Sequence, residues 1–173
     1  MLQLKNVRVL TLATLLAALA IVMGFFKLPI SQILELRFAS HVIAIAGSLL
    51  GPVVAMMVGL ISDIGGFFIK PTGPFFPGFT ISAALTGLIY GFFLYRKPFS
   101  LKRVIMAQVV YTLAISALLN TMWLAILYKL PFYETFIARL FTSAIQLPIH
   151  IVILALLLKG IDRLQLFKYL EKK

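Results

Sequence analysis

Six apolar runs, at about residues 8–26, 37–50, 52–69, 80–95, 104–128 and 136–158, take up most of the 173 residues. Most approach the roughly 20 residues that a helix needs to cross about 30 Å of hydrocarbon. Backbone facing lipid must satisfy its own hydrogen bonds, so the runs are expected to be helices, with irregular chain outside the bilayer or lining a cavity. Hydrophobic residues make up 62% of the chain and charged residues 12%, against roughly half and a quarter in soluble domains. The predicted fold is an all-α membrane protein: a single domain, 1–173, built as a bundle of six transmembrane helices. The second and fourth runs are short and are expected to tilt or to extend into flanking loops. The first run imitates a signal peptide as far as Ala20 but continues apolar to Phe26. It is read as a retained helix.

An even number of spans puts both termini on one side. That side carries eleven of the 16 Lys and Arg residues: Lys5, Arg8, Arg96, Lys97, Lys102, Arg103, Lys159, Arg163, Lys168, Lys172 and Lys173. The other side has Lys27, Arg37, Lys70, Lys129 and Arg139. The positive-inside bias therefore predicts cytoplasmic termini. The net charge of +11 is a topology signal, and nucleic acid is not expected as a partner. The tail 161–173, where Leu164, Phe167 and Leu170 alternate with charges, is expected to lie on the inner surface. With no cysteine, disulfides, iron–sulfur clusters and thiol catalysis are excluded.

The outer loops 27–36, 70–79 and 128–133 hold five prolines and many aromatics. Ordered loops that exceed the minimum length often carry function. The stretch 61–80, ISDIGGFFIKPTGPFFPGFT, combines Asp63, an acid deep in an apolar run, with Gly65 and Gly66, two Pro/Gly turns, and Phe75, Phe76 and Phe79. An intramembrane charge costs about 2.5–3.5 kcal/mol even on insertion scales, so it needs a partner or a cavity. Arg37 and Arg139, opening the second and sixth spans, are candidate partners for Asp63. The sixth span continues with Ser143, Gln146 and His150 at spacings of four, three and four, a polar stripe that Pro148 is expected to bend. The fifth offers Asn120, Thr121 and Trp123. Interhelical hydrogen bonding explains some of these groups. Their convergence with aromatics fits an apolar pocket with a few placed polar groups.

The first helix places Ala13, Ala17, Ala20 and Gly24 on one face. Such a groove admits close helix contact. On the residues alone this is internal packing, with docking of a separate membrane subunit as the alternative. No catalytic site and no metal site is expected: His41 and His150 lie on different spans without ligand spacing. There is also no nucleophile elbow or glycine-rich nucleotide loop. An intramembrane enzyme pairing Asp63 with either histidine is the competing reading, and it requires hydrogen-bond reach between them.

The six short helices, the A-x-x-x-A of Ala13 and Ala17, and the rich outer face resemble the substrate-binding (S) components of energy-coupling factor (ECF) vitamin transporters. LELRF at 34–38, LGP at 50–52, Asp63 with its glycines, PTGPFFPGFT at 71–80 and NTMWL at 120–124 resemble the folate-specific subfamily. The resemblance covers nearly the whole chain. It implies a multi-pass protein of the bacterial cell membrane that binds folate with high affinity from outside. It also implies docking to a transmembrane coupling subunit and two cytoplasmic ATPases, which use the ATP, so the chain needs no cofactor of its own. Another vitamin is the alternative ligand. The resemblance turns the Ala13–Ala17 face into the expected docking surface and loop 70–79 into a lid. Folate's rings would stack on Phe75, Phe76, Phe79 and Trp123, and Arg37 or Arg139 would take a carboxylate. Asp63 would accept the paired N–H donors of the pterin, with Asn120 and Gln146 completing its hydrogen bonds.

Overall fold

Each apolar run forms one helix in the computed structural model, which describes residues 7–29, 35–69, 71 and 74–163. Among these residues the helices are α1 (Val7–Phe25), α2 (Ala39–Leu50), α3 (Pro52–Ile69), α4 (Pro77–Leu94), α5 (Leu101–Tyr128) and α6 (Phe132–Arg163). All but α2 are long and apolar enough to cross a membrane. At 12 residues α2 rises only about 18 Å. It is preceded by an antiparallel ribbon of β1 (Lys27–Pro29) and β2 (Glu35–Arg37), with Lys27 opposite Arg37. Arg37 therefore belongs to the ribbon and does not open the second helix.

The fourth helix starts earlier than its apolar run indicates, at Pro77. Proline suits the first helical position because that N–H would lack an intrahelical acceptor anyway. Phe79 and Thr80 are consequently helical, and the preceding loop ends at Phe76. The last helix extends over 32 residues and runs through Pro148. The expected inner-surface tail lies, from residue 164 onward, outside the described residues.

The closest packing joins α3 and α4, which run antiparallel. A Cβ at Gly59 would collide with the Ala83 carbonyl, one at Gly87 with the Ala55 carbonyl, and one at Gly91 with Pro52. Ala55 and Gly59 on α3 thus face Ala83 and Gly87 on α4, each pair four residues apart on one helix face. Close backbone approach gains dispersion contacts that larger side chains would hold off. The same α4 face meets α2, where a Cβ at Gly47 would stand 2.7 Å from the Gly91 nitrogen. Gly51, at φ 89°, makes the tight corner from α2 into α3.

Against this frame α1 packs Ala13, Leu16, Ala17 and Ala20 into one core with Val42, Ile43, Ala46, Val54 and Val58. Ala13 and Ala17, the residues expected to form the docking surface, are both buried, with Ala17 4% exposed. Their small size lets α1 approach α2 and α3, so the groove is spent inside the bundle. The outward side of α1 shows Thr14, Leu15, Ala18, Leu19 and Val22. At the basic end a second core joins Ala44, Tyr90, Leu94, Val104, Leu154 and Leu158, and the Tyr90 hydroxyl donates to Gln108 Oε1 at 2.8 Å.

Gly87→Ala is expected to lower stability by about 1–3 kcal/mol, the usual cost of overpacking, read as a lower unfolding midpoint in detergent. Gly66→Ala, where a Cβ meets nothing within 4 Å, is expected to leave the midpoint unchanged or raise it.

Candidate functional site

The first two turns of α4 gather most of the candidate residues. Thr80 donates its hydroxyl to Asp63 Oδ2 at 2.7 Å, which binds the half-buried carboxylate of α3 to the start of α4. Two residues later, buried Ser82 accepts the indole N–H of Trp123 at 3.1 Å. The indole lies 5.6 Å from the Phe76 ring, and Phe76 meets Phe79 edge-on at 6.0 Å. Gly78 makes this possible, because a Cβ there would run into both the Trp123 and Phe76 rings. Acid, hydroxyls and aromatic wall are thereby held by one short piece of helix.

Helix α5 contributes Asn120 and Thr121 through a change of helical pitch. Residues Tyr111–Leu119 form a π-helical stretch, and the Asn120 N–H reaches back to the Ile115 carbonyl. In an α-helix that N–H would bond to Ser116 (i→i−4). The Ser116 carbonyl accepts Arg139 Nη2 instead, at 3.4 Å. Such π-stretches occur often at functional sites, and this one fastens the α6 guanidinium to α5. Buried Asn120 Oδ1 and Thr121 Oγ1 have no hydrogen-bond partner among the described residues. Unsatisfied polar atoms of this kind are scarce in native interiors.

On α6, Arg139, Ser143, Gln146 and His150 form the expected stripe, half-buried except for buried Ser143. Its inner end meets α2, where His150 Nδ1 lies 3.2 Å from His41 Nε2. One expected residue packs elsewhere. Phe75 turns away from Trp123 to pack on Phe67, with ring centroids 5.1 Å apart. The Arg37 side chain lies outside the described residues. A cleft lined by Ser48, Pro98, Phe99, Arg103 and Asp162 sits at the opposite, basic end, with about 20 Å³ of room, enough for one water.

Sequence reasoning missed Thr80, Ser82, Gly78, Ser116 and the contact between the histidines. The first three stood in plain sight as a Gly–x–Thr–x–Ser run entering an apolar helix, a pattern with polar side chains every second residue. Nothing in the sequence signals the π-stretch that selects Ser116.

A polar stripe beside an aromatic cluster, among membrane-spanning helices, is the side-chain composition of a small-molecule site in a transmembrane binding protein. Residues 8–163 match the family described as "ECF transporter, substrate-specific component", and the chain belongs to that family. It is 36% identical over 168 residues to the folate transporter FolT of Clostridium novyi, covering 97% of this chain and 98% of that one. The FolT of Leuconostoc mesenteroides is 30% identical over 162 residues, covering 90% and 86%. A crystal structure of FolT bound with folic acid superposes with a TM-score of 0.82 at 28% identity, covering 90% of this chain and 95% of that one. The chain is thus a multi-pass membrane transport component and not an enzyme, which sets aside the acid–base pairing of Asp63 with a histidine.

Gly78→Val is expected to displace the indole from Ser82. Because Trp123 is the single tryptophan, the change is read directly as an emission maximum moved to longer wavelength.

Proposed function

We propose that this chain captures folate and hands it to an ATP-driven importer. The observation that carries the reading is the cluster bound by α4: Asp63 on Thr80 and Trp123 on Ser82, walled by Phe76 and Phe79. Folate is flat and rich in N–H donors at its pterin end and dianionic at its glutamate end. A carboxylate beside aromatic rings suits the first. A guanidinium suits the second, since its fork of donors matches a carboxylate. Asp63 on α3 and Arg139 on α6 have those chemistries, and Asn120 has a buried acceptor to spare. A cationic vitamin such as thiamine would meet an excess of cations at the loop end, where Lys27, Arg37, Lys70, Lys129 and Arg139 outnumber Glu35, Asp63 and Glu134. The names of the similar proteins support the same ligand.

In this reading the basic end faces the cytoplasm and folate enters from the loop end. Energy comes from partner ATPases through a membrane coupling subunit. Because Ala13 and Ala17 hold α1 to its own bundle, the coupling subunit would meet the other side of α1, where Thr14, Leu15, Ala18, Leu19 and Val22 are exposed. No cofactor of its own is needed for this task.

Folic acid is expected to quench Trp123 emission saturably in purified protein, while thiamine and riboflavin do not. Quenching by another vitamin alone would leave the family intact and refute folate. Asp63→Asn is expected to weaken folic acid binding by about tenfold or more, the worth of a charged hydrogen bond. An unchanged titration would make Asp63 a structural residue. For docking, Ala18→Trp is expected to abolish folate uptake in cells that hold the complete transporter yet keep binding in the isolated chain. Ala17→Trp, inside the core, is expected to lose both.

A further inference from the structure

The polar stripe of α6 ends at a feature that the folate reading does not use. His150 and His41 touch across α6 and α2, with nitrogens 3.2 Å apart and ring centroids 4.9 Å apart. His41 is 3% exposed, and its Nδ1 has no hydrogen-bond partner among the described residues. A neutral imidazole has one donor and one acceptor nitrogen. Whichever histidine donates in the pair, His41 is left with one buried polar atom unanswered. Interiors rarely leave such an atom so.

The position of the pair restricts what can answer it. His41 is the third residue of α2, a helix too short to cross the bilayer, so it stands part-way down the membrane. One turn further toward the basic end, Ala44 and Leu154 are both fully buried in the apolar core that closes the bundle. On the opposite side the stripe climbs through Gln146 and Ser143 to Arg139, eleven residues or about 16 Å of helix away. The pair is therefore the inner floor of the column, with an aromatic neighbour, Phe38, 6.2 Å from the His41 ring. A carboxylate at this level would be buried over an apolar plug, far from the guanidinium that suits it. A flat heterocycle with donors and acceptors alternating along its edge meets both demands, since it can serve either tautomer.

We infer that the His41–His150 pair is the inner recognition element of the ligand pocket, with His41 Nδ1 completing its hydrogen bonding on the heterocyclic end of the ligand. The ligand thus enters heterocycle first, its carboxylates trailing at Arg139. The assignment rests on the folate reading above.

The test uses the full chain in lipid nanodiscs with ¹⁵N-labelled histidine, because two histidines in all give two sets of ring signals. Folic acid and 6-hydroxymethylpterin at saturating concentration are expected to move the His41 Nδ1 resonance, and 4-aminobenzoylglutamate is expected to leave it in place. His41→Phe is expected to weaken folic acid binding by about tenfold without altering that of 4-aminobenzoylglutamate. His150→Gln, which keeps a donor for His41, is expected to lose less. Ring signals unmoved by bound folic acid, or moved by 4-aminobenzoylglutamate alone, overturn the assignment and leave the folate reading standing. A folded sample that binds no folic acid overturns the folate reading and this assignment with it. Should His41→Phe fail to fold, the wild-type resonances decide.

Discussion

Helices in lipid gain little from hiding apolar surface, because the lipid is as apolar as they are. Contact must come from shape. In this protein the contact on which the others depend is the antiparallel meeting of α3 and α4, where Ala55 and Gly59 lie against Ala83 and Gly87 and where Gly91 meets Pro52. The backbones approach so closely that a methyl group has no room. Because the contact is backbone against backbone, it fixes the register of the two helices and not merely their proximity. Asp63 stands one turn beyond Gly59 on α3, and Thr80 stands one turn before Ala83–Ala84 on α4. Their hydrogen bond is a consequence of that register.

The rest of the site follows from the same frame by shorter steps. With α4 fixed, Ser82 is a fixed acceptor, and Trp123 of α5 is drawn to it through the gap left at Gly78. Buried Tyr90, hydrogen-bonded to Gln108, ties the inner halves of α4 and α5 together. Between these two ties α5 runs as a π-helix, so its residues turn less per step than in an α-helix. That stretch decides which groups near Asn120 face α6, and it frees the Ser116 carbonyl for Arg139. A glycine-packed half thus holds the acid and the aromatic wall. The half formed by α5 and α6 brings the cation and the polar stripe.

Much of this was legible in the sequence, for identifiable reasons. Helix number and approximate span follow from apolar run length, which the bilayer sets directly. Asp63, Trp123, Asn120, Arg139 and Gln146 stand out because polar groups inside apolar runs are expensive to place without purpose. The Ala13–Ala17 groove was equally visible, but spacing cannot say which neighbour fills it, and the bundle itself does. The Gly87-x-x-x-Gly91 pair carried the same kind of signal for α4 and was passed over. Phe75 and Phe76 are adjacent, yet they point to different partners, because α4 begins at Pro77 and the chain turns between them. The π-stretch has no compositional mark, so Ser116 was beyond reach.

The placement of charge explains how such a site selects. A single acid and a single buried-side guanidinium close together would neutralise one another and recognise little. Here Asp63 accepts the Thr80 hydroxyl and Arg139 donates to the Ser116 carbonyl. In the proposed function Asp63 on α3 is the acceptor pole and Arg139 on α6 the donor pole. A ligand that is donor-rich at one end and anionic at the other satisfies both poles at once. One that is cationic throughout satisfies the first and is repelled at the second, and one that is anionic throughout meets the reverse. Discrimination by mismatch of this kind leaves buried groups unanswered in the wrong complex, which costs more than a lost contact. A separated pair of poles thus rejects both kinds of wrong ligand, which a site of uniform charge cannot do.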